Sequence, residues 1–107
     1  MSNIQIAIEG EDAVSATEEL LQIPGISGNY TTPEEIEREG TIATVATIVG
    51  IVGGTLTIAE QIRKWYLEYK QSKSGKKIAK VLIVGKNGER LILEGATAEQ
   101  IQKVLSS

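Results

Sequence analysis

The chain has 107 residues, 11 Lys and Arg against 14 Asp and Glu for a formal charge of −3, and neither Cys nor His. A length near the lower edge of the common range argues for one domain, residues 1–107, whose core covers roughly two-thirds of the unfolded surface. Without Cys there are no disulfides or thiolate ligands, and without His the commonest general base and transition-metal ligand are missing.

A strand opens the chain. Ile4, Ile6 and Ile8 alternate with polar residues, the period-two pattern of a half-buried strand. The segment MSNIQIAIEGED has no basic region followed by a long apolar stretch, so a secretory signal is not expected and a cytoplasmic setting is. Residues 12–22 suit a helix capped by Asp12, with Val14, Ala16, Leu20 and Leu21 apolar, and Pro24-Gly25 stops it. Ile26 to Thr32 reads as a second, weaker strand. Pro33 followed by Glu34 and Glu35 reads as a helix start with acids in the first turn.

Residues 40–59 form a twenty-residue run without a charged side chain. It reads as the first part of one long helix from Thr41 to about Gln71, ended by Gly75. On that helix Ala46, Gly50 and Gly54 form a small-xxx-small ladder, with Gly53 beside it, where another backbone can approach closely. Three glycines within five helical residues cost about 1 kcal/mol each relative to Ala. Close packing, within the fold or between copies, is the reason we assign. Trp65 follows among Arg63, Lys64 and Tyr66, a grouping that also resembles a membrane-interface anchor. The length suffices for a span. However, four Gly and five Thr dilute its hydrophobicity, and the remaining elements need a large apolar partner for their core.

Ile78 to Val84 and Arg90 to Leu93 flank Gly85-Lys86-Asn87-Gly88 as a hairpin, since Asn-Gly tolerates positive φ. Thr97 caps a closing helix over residues 98–105, with Ala98, Ile101, Val104 and Leu105 on one face. The expected fold is therefore α+β: a small antiparallel sheet of three to four strands packed on one long apolar helix plus two shorter helices.

Charge is distributed unevenly. Residues 1–40 carry nine acids against Arg38, and residues 61–107 carry ten bases against four acids. Acidic Glu34 and Glu35 and basic Lys76 and Lys77 are candidate contacts between copies, although solvated faces explain most charge runs.

No residue set announces catalysis, a cofactor or a metal. Glu34, Glu35, Glu37 and Glu39 lack the loop of ordered oxygen ligands that a cation needs. Gly50-xx-Gly53-Gly54 is not followed by the Gly-Lys-Ser/Thr of a phosphate loop. Ser15, Ser27 and Thr31 have no His to activate them. The basic stretch from Lys70 to Lys80, with Trp65, Tyr66 and Tyr69 nearby, belongs to an acidic chain, which argues against nucleic acid.

The order of motifs resembles one known group. An opening strand is followed by an acidic helix carrying Glu18-Glu19-Leu20-Leu21 and a variable segment. A Gly-rich apolar helix then ends in Ile62-Arg63-Lys64-Trp65, and a hairpin with Gly88 in its turn leads to Leu91-Ile92-Leu93. Over nearly its whole length this is similar to the effector-associated constant component family of bacterial NTP-dependent conflict systems, small non-catalytic proteins encoded beside proteases or other effectors. The sequence departs from that pattern in its Thr- and Ile-rich helix and its extra closing helix. The resemblance implies an adaptor or assembly role in antiphage defence, with self-association or docking of an effector such as a protease, and it supplies no catalytic residues. The residues expected to carry the interaction are Ala46, Gly50, Gly53, Gly54, Trp65, Glu34, Glu35, Lys76 and Lys77. The alternative is a membrane-active effector whose helix 40–66 inserts into a bilayer after a trigger.

Overall fold

The computed structural model describes residues 4–31, 34–38, 41–71 and 78–106. Six strands are β1 Ile4–Gly10, β2 Ile26–Tyr30, β3 Glu34–Arg38, β4 Thr41–Val52, β5 Lys80–Val84 and β6 Arg90–Ile92. Three helices are α1 Ala13–Leu21, α2 Leu56–Lys70 and α3 Ala98–Ser106. The protein is α+β, and every strand pair is antiparallel.

The strand order is β2-β4-β1-β5-β6, with β3 also paired to β4. The sheet is thus five strands wide, because β2 and β3 share one edge of β4 end to end. β2 pairs with Ile48 to Val52 and β3 with Thr41 to Val45. Beyond β2, the Thr31 amide donates to the Thr47 carbonyl at 2.9 Å and extends this edge by one bond.

Three expectations are corrected here. The single long helix does not form, because residues 41–52 are strand β4 and only residues 56–70 are helix. Nine of the twelve residues in β4 are Thr, Val or Ile. Branching at Cβ restricts χ1 against a preceding helical turn and packs well on a pleated surface. The helix from 40 to 66 required by the membrane reading is consequently absent, and no helix among the described residues is long and apolar enough to cross a membrane. The helix start expected at Glu34-Glu35 is instead β3, held in the ladder by β4. The sheet also exceeds the three to four strands expected. Gly75, Lys76 and Lys77 lie outside the described residues.

One face of the sheet holds the core. Ile4, Ile6 and Ile8 stand opposite Gly50, Ile48 and Ala46 of β4, and Ile6 and Ile8 also stand opposite Ile83 and Val81 of β5. All these side chains are buried. Each fully buried Ile contributes about 1.5–3 kcal/mol of transfer free energy.

All three helices cover this face. Thr55 caps α2, its hydroxyl accepting from the Ile58 amide at 3.3 Å. The helix buries Ala59, Ile62, Trp65, Tyr66 and Tyr69 at helical spacing. Trp65 is 6% exposed and its Nε1 donates to the Ala16 carbonyl of α1 at 3.0 Å, tying the two helices together. α3 begins with a reciprocal capping box. The Gln100 amide donates to Thr97 Oγ1 at 3.1 Å, and the Thr97 amide donates to Gln100 Oε1 at 2.9 Å.

The glycines of the apolar run now have a different reason. Gly50 pairs with Gly28 of β2, and a Cβ on Gly50 would strike the Ser27 carbonyl oxygen and lie 2.7 Å from Gly28 Cα. A Cβ on Gly54 would lie 3.0 Å from Ser106 Cβ at the end of α3. These are close approaches within one chain.

Gly50→Leu should therefore unfold the protein rather than only its assemblies, lowering stability by about 3 kcal/mol. Urea denaturation followed by far-UV circular dichroism measures this, and an unchanged midpoint would contradict the pairing. Trp65→Phe should cost about 1–3 kcal/mol through the lost hydrogen bond and lost volume.

Candidate functional site

Among the described residues, the opposite face of the sheet carries no helix. Its composition follows from the register, since alternate residues point to opposite faces. One row across the sheet reads Asn29, Val49, Gln5, Val84, Arg90. The next reads Thr47, Ala7, Leu82, Ile92, and the third reads Glu34, Val45, Glu9, Lys80 at their register positions. Down β4 the face presents Val45, Thr47, Val49 and Ile51 in succession, without the polar alternation that a water-facing sheet normally shows. Ile51 is 62% exposed and Ile92 46% exposed. Val45, Val49, Leu82 and Val84 are half-buried, and Glu9 is buried.

Both edges of the sheet are poorly suited to adding a strand. β6 is three residues long, and the opposite edge is divided between two five-residue strands, β2 and β3. Short edge strands resist edge-to-edge pairing.

The residues expected to carry interaction fall into separate places. Ala46 and Gly50 are buried on the helix-covered face of β4, and Trp65 is in the core between α1 and α2. Gly53 and Gly54 form the turn between β4 and α2, where a Cβ on Gly53 would lie 2.5 Å from Ile58 Cδ1. Glu34 and Glu35 are placed on the edge strand β3 by their register with Val45 and Thr44. Among the described residues, then, these positions make no single surface. The outward residues of β4 were missed because they interleave with buried ones in a continuous apolar run. The signal that finds them is the density of Cβ-branched residues from Thr41 to Val52.

No chemistry gathers on the helical side. Shallow grooves along α2 are lined by Glu60, Arg63, Ala98 and Glu99, and by Glu19, Gln61, Lys64 and Glu68. Arg63 Nε donates to the Ala96 carbonyl at 3.3 Å, a structural use that joins α2 to the start of α3. No group of three or more acidic residues among the described residues is arranged to hold a metal ion.

Three tyrosines have raised pKa values. Burial, then the Glu19 carboxylate, pushes Tyr69 up; burial, then Glu94, raises Tyr66. Glu18 is the main cause at Tyr30, whose hydroxyl donates to Glu18 Oε1 at 3.2 Å. All three shifts move the phenols away from neutral pH and make them worse proton-transfer groups there. No family model, curated protein or solved structure matches this chain.

The tyrosine shifts give a signed prediction. Each phenol has a folded-state pKa above its unfolded value near 10. The unfolded chain therefore ionises first, and the stabilising term is present in full below about pH 10 and is lost as pH rises toward the folded-state values. Urea midpoints measured across that range should fall, and Tyr69→Phe should flatten the fall more than Tyr30→Phe. Equal slopes in the two variants would contradict the assignment.

Proposed function

We propose that this protein is a non-catalytic adaptor or assembly component, acting in the cytoplasm, whose binding surface is the uncovered face of the sheet. The observation that carries this reading is the apolar side chains of that face, Val45, Val49 and Ile51 on β4 joined through Ala7 of β1 to Leu82 of β5 and Ile92 of β6, with Ile51 and Ile92 exposed. Contiguous apolar surface facing water is costly, at roughly 25 cal/mol per Å² of area that a partner could cover. The lack of His and Cys and the upward-shifted tyrosines agree with binding rather than turnover.

The sequence resemblance to effector-associated constant components holds for the opening strand, the acidic helix, Ile62-Arg63-Lys64-Trp65 and the hairpin, but not for a Gly-rich helix, since that segment is strand β4. It is our ground for proposing a place in a bacterial antiphage conflict system, with a protease or another effector as the docked protein. Binding then belongs to the sheet, and the Gly-rich segment serves as strand β4, between β1 and the edge formed by β2 and β3. The glycines that suggested a helix–helix seam allow β2 and α3 to come close.

Affinity purification of the tagged chain from its own host, comparing wild type with Ile51→Lys, tests the reading. Wild type should retain an effector encoded beside it, and Ile51→Lys should lose it while keeping the same circular dichroism spectrum. Equal retention by both proteins would remove the sheet face from the account. Flotation of the wild-type protein with liposomes, accompanied by dye leakage, would replace the adaptor with a membrane-active effector.

A further inference from the structure

We propose that Asn87 is a site of spontaneous covalent modification, where the side-chain amide closes on the Gly88 backbone nitrogen to a succinimide that water opens to aspartate or isoaspartate. The β5–β6 hairpin holds this reaction back while it stays closed.

Sequence and exposure select the residue. The chain has three Asn, followed by Ile4, Tyr30 and Gly88. Ring closure needs the nitrogen of the next residue to reach Asn Cγ. A side chain on that residue crowds the approach, and glycine has none. Asn87 and Gly88 are both exposed, and nothing lies within 4 Å of where a Cβ on Gly88 would stand. Asn29, by contrast, is inside strand β2, paired with Val49 and followed by the half-buried Tyr30.

The chemistry balances with water alone. The Gly88 amide gives up its proton, its nitrogen bonds to Asn87 Cγ, and Nδ2 leaves as ammonia. Water then opens the ring at one of two bonds. Cleavage between Gly88 N and Cγ gives aspartate. Cleavage between Gly88 N and the backbone carbonyl carbon of residue 87 gives isoaspartate, whose main chain runs through Cβ and Cγ and is one methylene longer. Either product adds one negative charge.

Both reacting groups are engaged in the closed hairpin. The Gly88 amide, whose nitrogen is the nucleophile, donates to the Gly85 carbonyl at 3.0 Å. Asn87 Oδ1 accepts from the Glu89 amide at 3.1 Å, which fixes the side chain in an Asx turn. The Glu89 amide also polarises the Asn87 carbonyl, but it does not release the proton of the nucleophile. Reaction therefore waits on local opening of the hairpin.

The two products have different consequences. Aspartate keeps an acceptor oxygen for the Glu89 amide. Isoaspartate lengthens the turn that the Gly88–Gly85 bond and the 2.7 Å bond from the Gly85 amide to the Glu89 carbonyl close, and it moves the carboxylate onto Cα. β6 is three residues long, lies at the edge of the sheet and is held in the ladder by β5, so its place depends on this turn.

Peptide mass spectrometry of the full chain, aged at mildly alkaline pH with and without urea, tests the site. The peptide holding Asn87 should convert ahead of the one holding Asn29. Its conversion should be about tenfold or more faster in urea, where no hairpin has to open first. Electron-transfer fragmentation distinguishes the two products. The isoaspartyl chain, separated by reversed-phase chromatography and refolded, should have a lower urea midpoint than wild type, whereas Asn87→Asp should stay close to wild type. No conversion in urea, faster conversion at Asn29, equal rates with and without urea, or equal midpoints for the isoaspartyl chain and Asn87→Asp would overturn the proposal.

Discussion

The rest of the structure depends on strand β4 being hydrogen-bonded along both of its edges. β1 lies on one side, while β2 and β3 divide the other between them. A twelve-residue strand is long for a small domain, and its length lets it pair with both β2 and β3 along one edge. Remove this pairing and the helices lose their floor, since Ala46, Ile48 and Val52 form part of the surface on which they pack. The same strand creates the surface we assign to binding. Alternation sends Val45, Thr47, Val49 and Ile51 to the other side, and among the described residues no helix is there to meet them.

Close approach, rather than flexibility, explains the unusual glycine content of this segment. Gly50 lets β4 run against Gly28 and Ser27 of β2, and Gly54 leaves room for Ser106 at the end of α3. Trp65 contributes a second fixed point through its bond to the Ala16 carbonyl, buried where that bond competes poorly with water. Between them these contacts set the helical layer against one face of the sheet and leave the other open.

Much of this was legible in the residues. Ile4, Ile6 and Ile8 alternate and form β1; Thr97 begins a helix and does so with a capping box. Pro24-Gly25 stops α1, and Gly88 turns the β5–β6 hairpin with φ near 86°. The segment from Glu34 to Val52 misled for two physical reasons. A strand with apolar residues on both faces, Ala46, Ile48 and Val52 on one and Val45, Val49 and Ile51 on the other, shows no polar alternation, so its sequence resembles a buried helix. Acidic residues after a proline suit a helix start, but the hydrogen bonds offered by β4 outweigh that local preference. The candidate site was lost with the same error, because Ala46 and Gly50 and the outward Val49 and Ile51 stand side by side in sequence and on opposite faces in space.

Interstrand nuclear Overhauser effects from β4 test the central claim most directly. The account predicts backbone contacts from Val49 to both Gln5 and Asn29, and from Thr44 to Glu35, with an extended pattern throughout residues 41–52. Sequential amide contacts and i-to-i+3 contacts running unbroken from Thr41 into α2 would instead show a continuous helix. That result would contradict both the fold and the binding surface derived from it.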